Sequence, residues 1–332
     1  MKHPTPALAT AFALLISATA AAQTPIAHRF IQVAPGVYAA VGNGTIETRS
    51  SNMIIVNADD VFLVDTNITP EATRRLVNDI KTITDKPIRY VVNTHWHYDH
   101  TDGNQVFGPE VTIIGHENER AEILQGVLKN RLTQEFQNLP AQIENARTQG
   151  NADRLKVLEA YQEQLKETVP TPPALTVADH LTVFRGEREI RILYLGRGHS
   201  DTDVMVYLPK EKVIATGDFF EGPGTGALNF GFHDEWANNL EKLKVLDFET
   251  VVPGHGEPFK GKDQIAYFQA LLRDLWNQTK TLHDQKVPVA EAAKRIDLTA
   301  HREHYRNING PGFQEATIAR IYQVLDQRGG SN

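Results

Sequence analysis

Short runs of apolar residues, each bounded by turn-forming residues, dominate the first part of the chain. Such runs predict β-strands, here at residues 30–33, 37–41, 53–56 and 61–64. Pro35-Gly36 and Asn43-Gly44 predict the hairpin turns between the first three strands. Pro70 begins a predicted helix that ends near residue 83, and the apolar run at residues 88–93 predicts a buried strand.

Strand-like and helix-like patterns continue along the rest of the chain. Further strands are predicted at residues 111–114, 181–184, 190–195, 204–208, 213–215 and 250–252. Further helices are predicted at residues 103–107, 234–246, 263–283, 289–296 and 313–327. Two stretches resemble each other, because each has a strand ending in aspartate, then a helix, then a strand ending in histidine. Two such halves that meet face to face would bring these strand ends together.

Residues 117–168 interrupt this pattern. Apolar residues recur at helical spacing on both sides of Gly150-Asn151, which predicts an inserted antiparallel helical hairpin that ends before Pro170. The simplest interpretation is a packed helical appendage. A substrate lid and a dimerisation arm are the alternatives, so an oligomer could form through the hairpin.

The first residues form a distinct segment. Lys2 precedes an apolar run at residues 7–16, and Ala20-Ala21-Ala22 follows it, a pattern typical of a secretory signal peptide cleaved before Gln23. The alternative, a retained membrane anchor, is disfavoured because the run is shorter than the roughly 20 residues that span a bilayer. We therefore expect a periplasmic or secreted protein that is free of the membrane after processing, with an N-terminus that mass spectrometry can check.

Composition excludes some functions. The chain has 332 residues, of which 41% are hydrophobic, so it can bury a sizeable core. Its formal net charge of −7 and the absence of a basic run argue against nucleic acid as a partner. It has no cysteine, so no thiolate can act as a ligand or nucleophile.

The clearest chemical signal directly follows the strand at residues 88–93. His95, His97, Asp99 and His100 lie within six residues. Alternate residues of an extended loop point to opposite sides, so we expect His95, His97 and Asp99 to share one side. Imidazole nitrogens and carboxylate oxygens are the ligands that Zn²⁺ prefers where thiolates are absent.

Three further residues of ligand type stand at predicted strand ends. His199 lies in a turn after Gly198, Asp218 follows Gly217, and His255 lies between two glycines. Taken singly, Asp218 or His255 is more typical of a turn or a cap. Their recurrence at strand ends indicates a metal site.

This set of motifs resembles the metallo-β-lactamase superfamily over residues 30–259. The resemblance implies an α/β fold, a four-layer αβ/βα sandwich, here with an inserted helical hairpin and a helical C-terminal extension. It also implies two metals, the first held by His95, His97 and His199 and the second by Asp99, His100 and His255, with Asp218 bridging them. Asp65 would orient the histidine loop without being a ligand.

The resemblance further implies two Zn²⁺ per chain and a small-molecule substrate. A metal-bound hydroxide would attack an amide, lactone or ester carbonyl, as in a β-lactamase-like hydrolase. Asp99 would be catalytic, because it could accept the proton of the hydroxide or orient it. Tyr98 and Asn229 are candidate contacts with the substrate.

Details of the ligand set keep the substrate open. Asp218 resembles the bridging aspartate of glyoxalase II, whereas many lactamases have cysteine or serine there. A thioester hydrolase is therefore the main alternative. The hypothesis of an iron-dependent sulfur oxygenase is weaker, because a site with one iron does not need Asp99, His100 and His255 as ligands. Flavodiiron oxygen reductases have glutamate where His97 stands, and a binding module without turnover is a further alternative.

The chain should accordingly divide into three parts. Residues 1–22 would be the signal peptide, and residues 23–260 the metallo-β-lactamase-like domain. That domain includes the inserted hairpin and its linker at residues 117–173. Residues 261–332 would form the helical C-terminal extension.

Overall fold

The computed structural model describes Met1, residues 26–222 and residues 224–329. The predicted signal peptide lies outside the described residues, apart from Met1. No helix in the described part of the chain combines the length and hydrophobicity that a bilayer crossing needs.

Two β-sheets form the centre of the fold. Within the described residues, the first sheet has seven strands in chain order: β1 (His28–Ala34), β2 (Val37–Gly42), β3 (Asn52–Val56), β4 (Val61–Val64), β5 (Ile88–Val92), β6 (Thr112–His116) and β7 (Leu175–Val177). The second sheet has six, in the spatial order β13 (Phe259–Lys260), β12 (Thr250–Pro253), β11 (Val213–Gly217), β10 (Val204–Leu208), β9 (Arg188–Tyr194) and β8 (His180–Arg185). Buried aliphatic side chains from both sheets, such as Val64, Val92, Val206 and Val252, form one core between them.

Helices cover the outer faces of both sheets. Helix α1 (Pro70–Ile80) packs Leu76 and Ile80 against the first sheet. On the second sheet, a larger apolar cluster joins the strands to α6 (His233–Lys244), α7 (Asp263–Asp284), α8 (Val289–Arg295) and α9 (Glu315–Gly329). This confirms the predicted four-layer αβ/βα sandwich with its helical C-terminal extension.

The two predicted β-α-β halves are present. Strand β4 pairs in parallel with β5 across α1, and β11 pairs in parallel with β12 across α6. The carboxyl ends of parallel strands lie at the same edge of a sheet, so Asp65 and His95 follow neighbouring strands of one sheet, as Asp218 and His255 do in the other. Sequence pattern alone thus indicated how the site is assembled.

The insertion differs in detail from the predicted two-helix hairpin. It contains three helices, all within described residues: α3 (Glu117–Gln125), α4 (Val127–Thr148) and α5 (Ala152–Leu165). Gly126 separates the first two in a left-handed conformation, with φ of 88°. Helices α4 and α5 form the expected antiparallel pair, and their apolar cluster reaches Ile68 of the main domain. Leu124 is the first of the apolar residues whose helical spacing predicted the hairpin, but it is exposed because the helical register restarts at Gly126.

Several boundaries also differ from the predictions. Helix α1 ends at Ile80, before a turn. Asn43-Gly44 does not form a tight hairpin turn but begins a loop over residues 43–51, which leads to the site. The short edge strands β7 and β13 were not predicted, because two or three residues carry too little periodicity to be recognised.

Candidate metal centre

The loop after β5 carries four of the predicted ligands. Residues 98–101 form a single helical turn, α2 (Tyr98–Thr101), in which Asp102 N donates to Tyr98 O at 2.9 Å. The prediction that Asp99 belongs to an extended loop was therefore wrong. Because neighbouring residues on a helical turn point about 100° apart, Asp99 and His100 reach the same site from one turn.

The remaining ligands come from three other strand ends. His199 follows β9, Asp218 directly follows β11, and His255 follows β12. Gly254 allows the last two to approach, because a side chain there would collide with the Asp218 carboxylate. The structure brings all seven predicted ligands to one edge between the two sheets.

The first group contains His95, His97, His199 and Asp218, whose ligand atoms all lie within 4.8 Å of one another. His97 Nδ1 lies 2.9 Å from His95 Nε2 and 2.8 Å from His199 Nε2. Asp218 Oδ2 lies 3.5 Å from His199 Nε2 and 3.8 Å from His95 Nε2. Three imidazole nitrogens thus converge on one point beside a carboxylate.

The second group contains Asp99, His100 and His255, again within 4.8 Å. His255 Nε2 lies 3.5 Å from Asp99 Oδ2 and 3.2 Å from Asp218 Oδ2. His100 Nε2 lies 3.4 Å from Asp218 Oδ1. The two oxygens of Asp218 therefore face both groups, which is the arrangement that a bridging ligand needs.

The donor set fits metal binding. His100 Nε2 and Asp218 Oδ1 are buried and have no hydrogen-bond partner among the described residues. Buried polar atoms are rarely left without a partner, and those that are need an explanation such as an ion. Histidine and carboxylate ligands without thiolates suit zinc. The cluster therefore suits a metal, and the assignment of each ligand remains a prediction.

Asp65 supports this cluster from below. Its Oδ1 accepts from Thr94 N at 2.7 Å, and its Oδ2 lies 3.0 Å from Thr94 Oγ1 and 2.8 Å from His100 Nδ1. Asp65 has a left-handed φ of 64°, an uncommon conformation for a residue with a side chain. With Nδ1 bound to Asp65, His100 presents its Nε2 to the ligand cluster. Asp65 thus contacts His100 at Nδ1, on the side of the ring away from the ligand cluster, in agreement with an orienting role.

Burial and nearby charge set the protonation of the cluster. Burial and neighbouring histidines hold the pKa of His95 and of His97 well below 6.5, so both are neutral, the form that binds a metal. Burial opposes charging of His100 as well, but Asp65, Asp218 and Asp99 raise its pKa to about 9. The negative field that holds this proton would also attract a cation.

The predicted substrate contacts have different surroundings. Asn229 lines a cavity of about 390 Å³ beside the ligand loop, together with Trp96, Phe230 and Arg320. The Phe230 ring lies 4.6 Å from the His97 ring, so the cavity adjoins the first ligand group. Tyr98 instead packs against the inserted helices, and its hydroxyl accepts from Arg49 Nη1 at 2.8 Å.

Two residues near the site carried little sequence signal. Glu221 Oε1 lies 3.9 Å from His255 Nε2, and burial together with Asp218 raises its pKa to about 8. Its position three residues after Asp218 was the only signal. Arg49 O lies 3.1 Å from His255 Nδ1. No sequence pattern indicates this contact, because it involves a backbone carbonyl and joins two residues that are 206 positions apart in the sequence.

Comparison with known proteins identifies the family. The sequence profile of the metallo-beta-lactamase superfamily matches residues 46–255, more than half of the chain. A linear primary-alkylsulfatase from Pseudomonas sp. is 23% identical over 292 residues, which cover 80% of this chain and 53% of that protein. A type 2 metallo-beta-lactamase from Bacteroides fragilis is 24% identical over 257 residues, which cover 75% of this chain and 86% of the lactamase.

Solved structures show the same fold. The sec-alkylsulfatase Pisa1 from Pseudomonas sp. matches with a TM-score of 0.67 at 19% identity, over 90% of this chain and 50% of that one. A metallo-beta-lactamase from Pontibacter korlensis matches with a TM-score of 0.56 at 19% identity, over 74% of this chain and 99% of that one. The chain spans about half the length of the alkylsulfatases that it matches. It belongs to the metallo-beta-lactamase superfamily.

Proposed function

We propose that this chain is an exported dinuclear zinc hydrolase that cleaves an ester, lactone or amide carbonyl of a small molecule. One observation carries the proposal: the buried carboxylate of Asp218 belongs to the first group of ligand-type side chains and also lies 3.2 Å from His255 Nε2 and 3.4 Å from His100 Nε2 of the second group. Two bound zinc ions would supply an activated water near neutral pH and polarise the carbonyl of the substrate.

The side chains of the chain itself would divide the remaining work. Although burial opposes ionisation, His255, His100 and His199 hold the pKa of Asp218 well below its usual range, so it is a carboxylate. Asp99 Oδ2 lies at the edge of the second group, where it could accept a proton from water. Trp96 and Phe230 offer apolar surface to the substrate, and Asn229 offers an amide.

The position that some lactamases use to bind the carboxylate of their substrate has no positive charge in this chain. Some lactamases grip that carboxylate with a lysine three residues after the ligand that Asp218 replaces. This chain has Glu221 there, which is 11% exposed and offers no positive charge. We therefore favour a lactone or a simple ester over a β-lactam. A thioester stays as an alternative, because the bridging aspartate resembles that of glyoxalase II.

A second candidate is hydrolysis of an alkyl sulfate ester. The alkylsulfatase likenesses extend over 80–90% of this chain, beyond the residues that the family profile matches. They cover only about half of those proteins. The activity of the alkylsulfatases is therefore a reason to assay this chain with an alkyl sulfate, but it does not assign that activity to the chain.

Turnover assays separate these candidates. The zinc-loaded protein would be given a lactone, a carboxylic ester, a β-lactam, a thioester and a primary alkyl sulfate. We expect hydrolysis of the lactone or ester, lost on chelation and restored by zinc. His199→Ala should lose it as well, whereas His180→Ala should not, because His180 is an exposed histidine outside the site.

The other outcomes have definite meanings. Turnover of the alkyl sulfate alone would establish the second candidate, and turnover of the thioester alone would establish the glyoxalase II-like alternative. A protein that binds two zinc ions and hydrolyses none of the five would contradict the enzyme proposal and favour a binding module. Stoichiometric iron in the purified protein would favour oxygen chemistry.

A further inference from the structure

The loop over residues 43–51 lies against the turn that carries His255. Ser51 N donates to Gly254 O at 2.7 Å, and Ser51 Oγ donates to Gly256 O at 2.7 Å. Between these two contacts, His255 Nδ1 lies 3.1 Å from Arg49 O. The carbonyl of Arg49 therefore fixes the ring orientation and makes Nε2 the atom that faces Asp218.

The backbone of Arg49 adopts a conformation that needs support. Its φ is 58°, in the left-handed region that residues with a side chain rarely occupy. Such conformations persist where the surroundings impose them. The guanidinium of Arg49 supplies three constraints at once, because it donates to Glu47 Oε1 at 3.0 Å, to Tyr98 OH at 2.8 Å and to Glu135 Oε1 at 2.7 Å.

Glu135 is the member of this network that the inserted helices contribute. It lies in α4 and is 4% exposed. Its Oε2 pairs with Arg131 Nη1 at 2.5 Å, and its Oε1 also accepts from Tyr161 OH of α5 at 3.3 Å. Burial opposes its ionisation, but Arg49 and Arg131 lower the pKa of Glu135, so it holds the two cations as a carboxylate.

Tyr98 gives the network a second route to the site. It lies between the ligands His97 and Asp99, and the guanidinium of Arg131 stacks 3.9 Å above its ring. Arg49 and Arg131 therefore hold the ligand loop through Tyr98, and Glu135 holds both arginines. Without Glu135, the guanidinium groups of Arg49 and Arg131 would lose the carboxylate that both of them pair with, and they would repel each other.

We propose that Glu135, through Arg49, is a positioning residue for the second metal site. This gives the inserted helices a role in the site beyond that of a packed appendage. The inference rests on the proposed dinuclear function. Outer groups that orient a ligand typically change metal affinity roughly 10–100-fold when removed, and we expect an effect of that size on the metal held by Asp99, His100 and His255.

The test measures the affinity of each zinc site separately, by competition with a chromophoric chelator. His255→Ala identifies which binding step belongs to the second site. We expect Glu135→Ala to weaken zinc binding in that step roughly 10–100-fold and to leave zinc binding at the first site unchanged. Glu135→Gln should lose less, because it keeps an acceptor for Arg49. Arg49→Lys should weaken the same step, because an ammonium cannot make the three contacts together.

Two controls separate positioning from general stability. Glu144→Ala removes a glutamate from the same helix, but this residue is exposed and pairs with Arg147 of the same helix, so both affinities should be unchanged. Leu158→Ala weakens the packing between α4 and α5 without touching Arg49, so it should lower the melting temperature and leave the second zinc in place.

Three outcomes would overturn the inference. The first is that folded Glu135→Ala and Arg49→Lys proteins both bind two zinc ions with unchanged affinity. The second is that Leu158→Ala weakens the second site as much as Glu135→Ala does, which would show a general packing effect. The third is that the unsubstituted protein binds a single zinc ion, which would contradict the proposed dinuclear function and this inference with it.

Discussion

Asp218→Ala should release the second zinc ion and reduce hydrolysis at least 10–100-fold, the range typical of an outer-shell group. Asp218 has oxygens 3.4 Å from His100 Nε2 and 3.2 Å from His255 Nε2, and it also faces the first group. Its removal takes a negative charge from between two cations, whose repulsion is then less compensated. Zinc content and turnover of the folded variant check this together.

The alternative role of Asp218 has a different signature. If Asp218 only caps the turn after β11, its replacement by alanine would lower stability by about 1 kcal/mol and leave activity intact. Asp247→Ala is the matched control, because Asp247 is an exposed aspartate that pairs with Lys212. Two retained zinc ions with near-normal turnover in Asp218→Ala would exclude the bridging role. They would also remove the main likeness to glyoxalase II.

Asp65→Ala should lower both the stability and the metal affinity of the protein. Asp65 is 1% exposed and contacts Thr94 N, Thr94 Oγ1 and His100 Nδ1. Each buried donor left without a partner costs about 1–3 kcal/mol. His100 would also lose the bond that orients it, so we expect the second zinc to bind roughly 10–100-fold more weakly. Urea unfolding and zinc competition measure the two effects.

Asp60→Ala distinguishes the orienting role from simple loss of a buried carboxylate. Asp60 is also 1% exposed, and it pairs with Arg185 and accepts from Asn57, away from the ligand cluster. We expect Asp60→Ala to lose comparable stability and to keep both zinc affinities. An Asp65→Ala protein that is destabilised but binds zinc normally would show that Asp65 supports the fold alone.

Sequence was sufficient to predict the ligand cluster because the cluster is built at strand ends. Asp65, His95, Asp218 and His255 each follow a short apolar run, and parallel pairing brings such ends together whatever the loops do. The helical turn at Asp99 and His100 was not predicted. Four residues carry no helical periodicity, and the turn exists because backbone bonds close it locally.

Contacts between distant residues were beyond prediction. Arg49 and Glu135 are 86 residues apart, and both resemble ordinary surface charges in the sequence. Their meeting depends on the angle at which α4 packs beside Ile68, and apolar spacing does not determine that angle. The break at Gly126 was not predicted either. It shifts the helical register, and Leu124 is therefore exposed.

The most direct test of the dinuclear site is the metal content of the unsubstituted protein as purified. Seven ligand-type side chains form two groups, and Asp218 of the first group also faces His100 and His255 of the second. This arrangement predicts two zinc ions per chain. Elemental analysis with a calibrated protein concentration measures this ratio. A value near two would agree with the proposal, whereas a value near one, or stoichiometric iron without zinc, would contradict it.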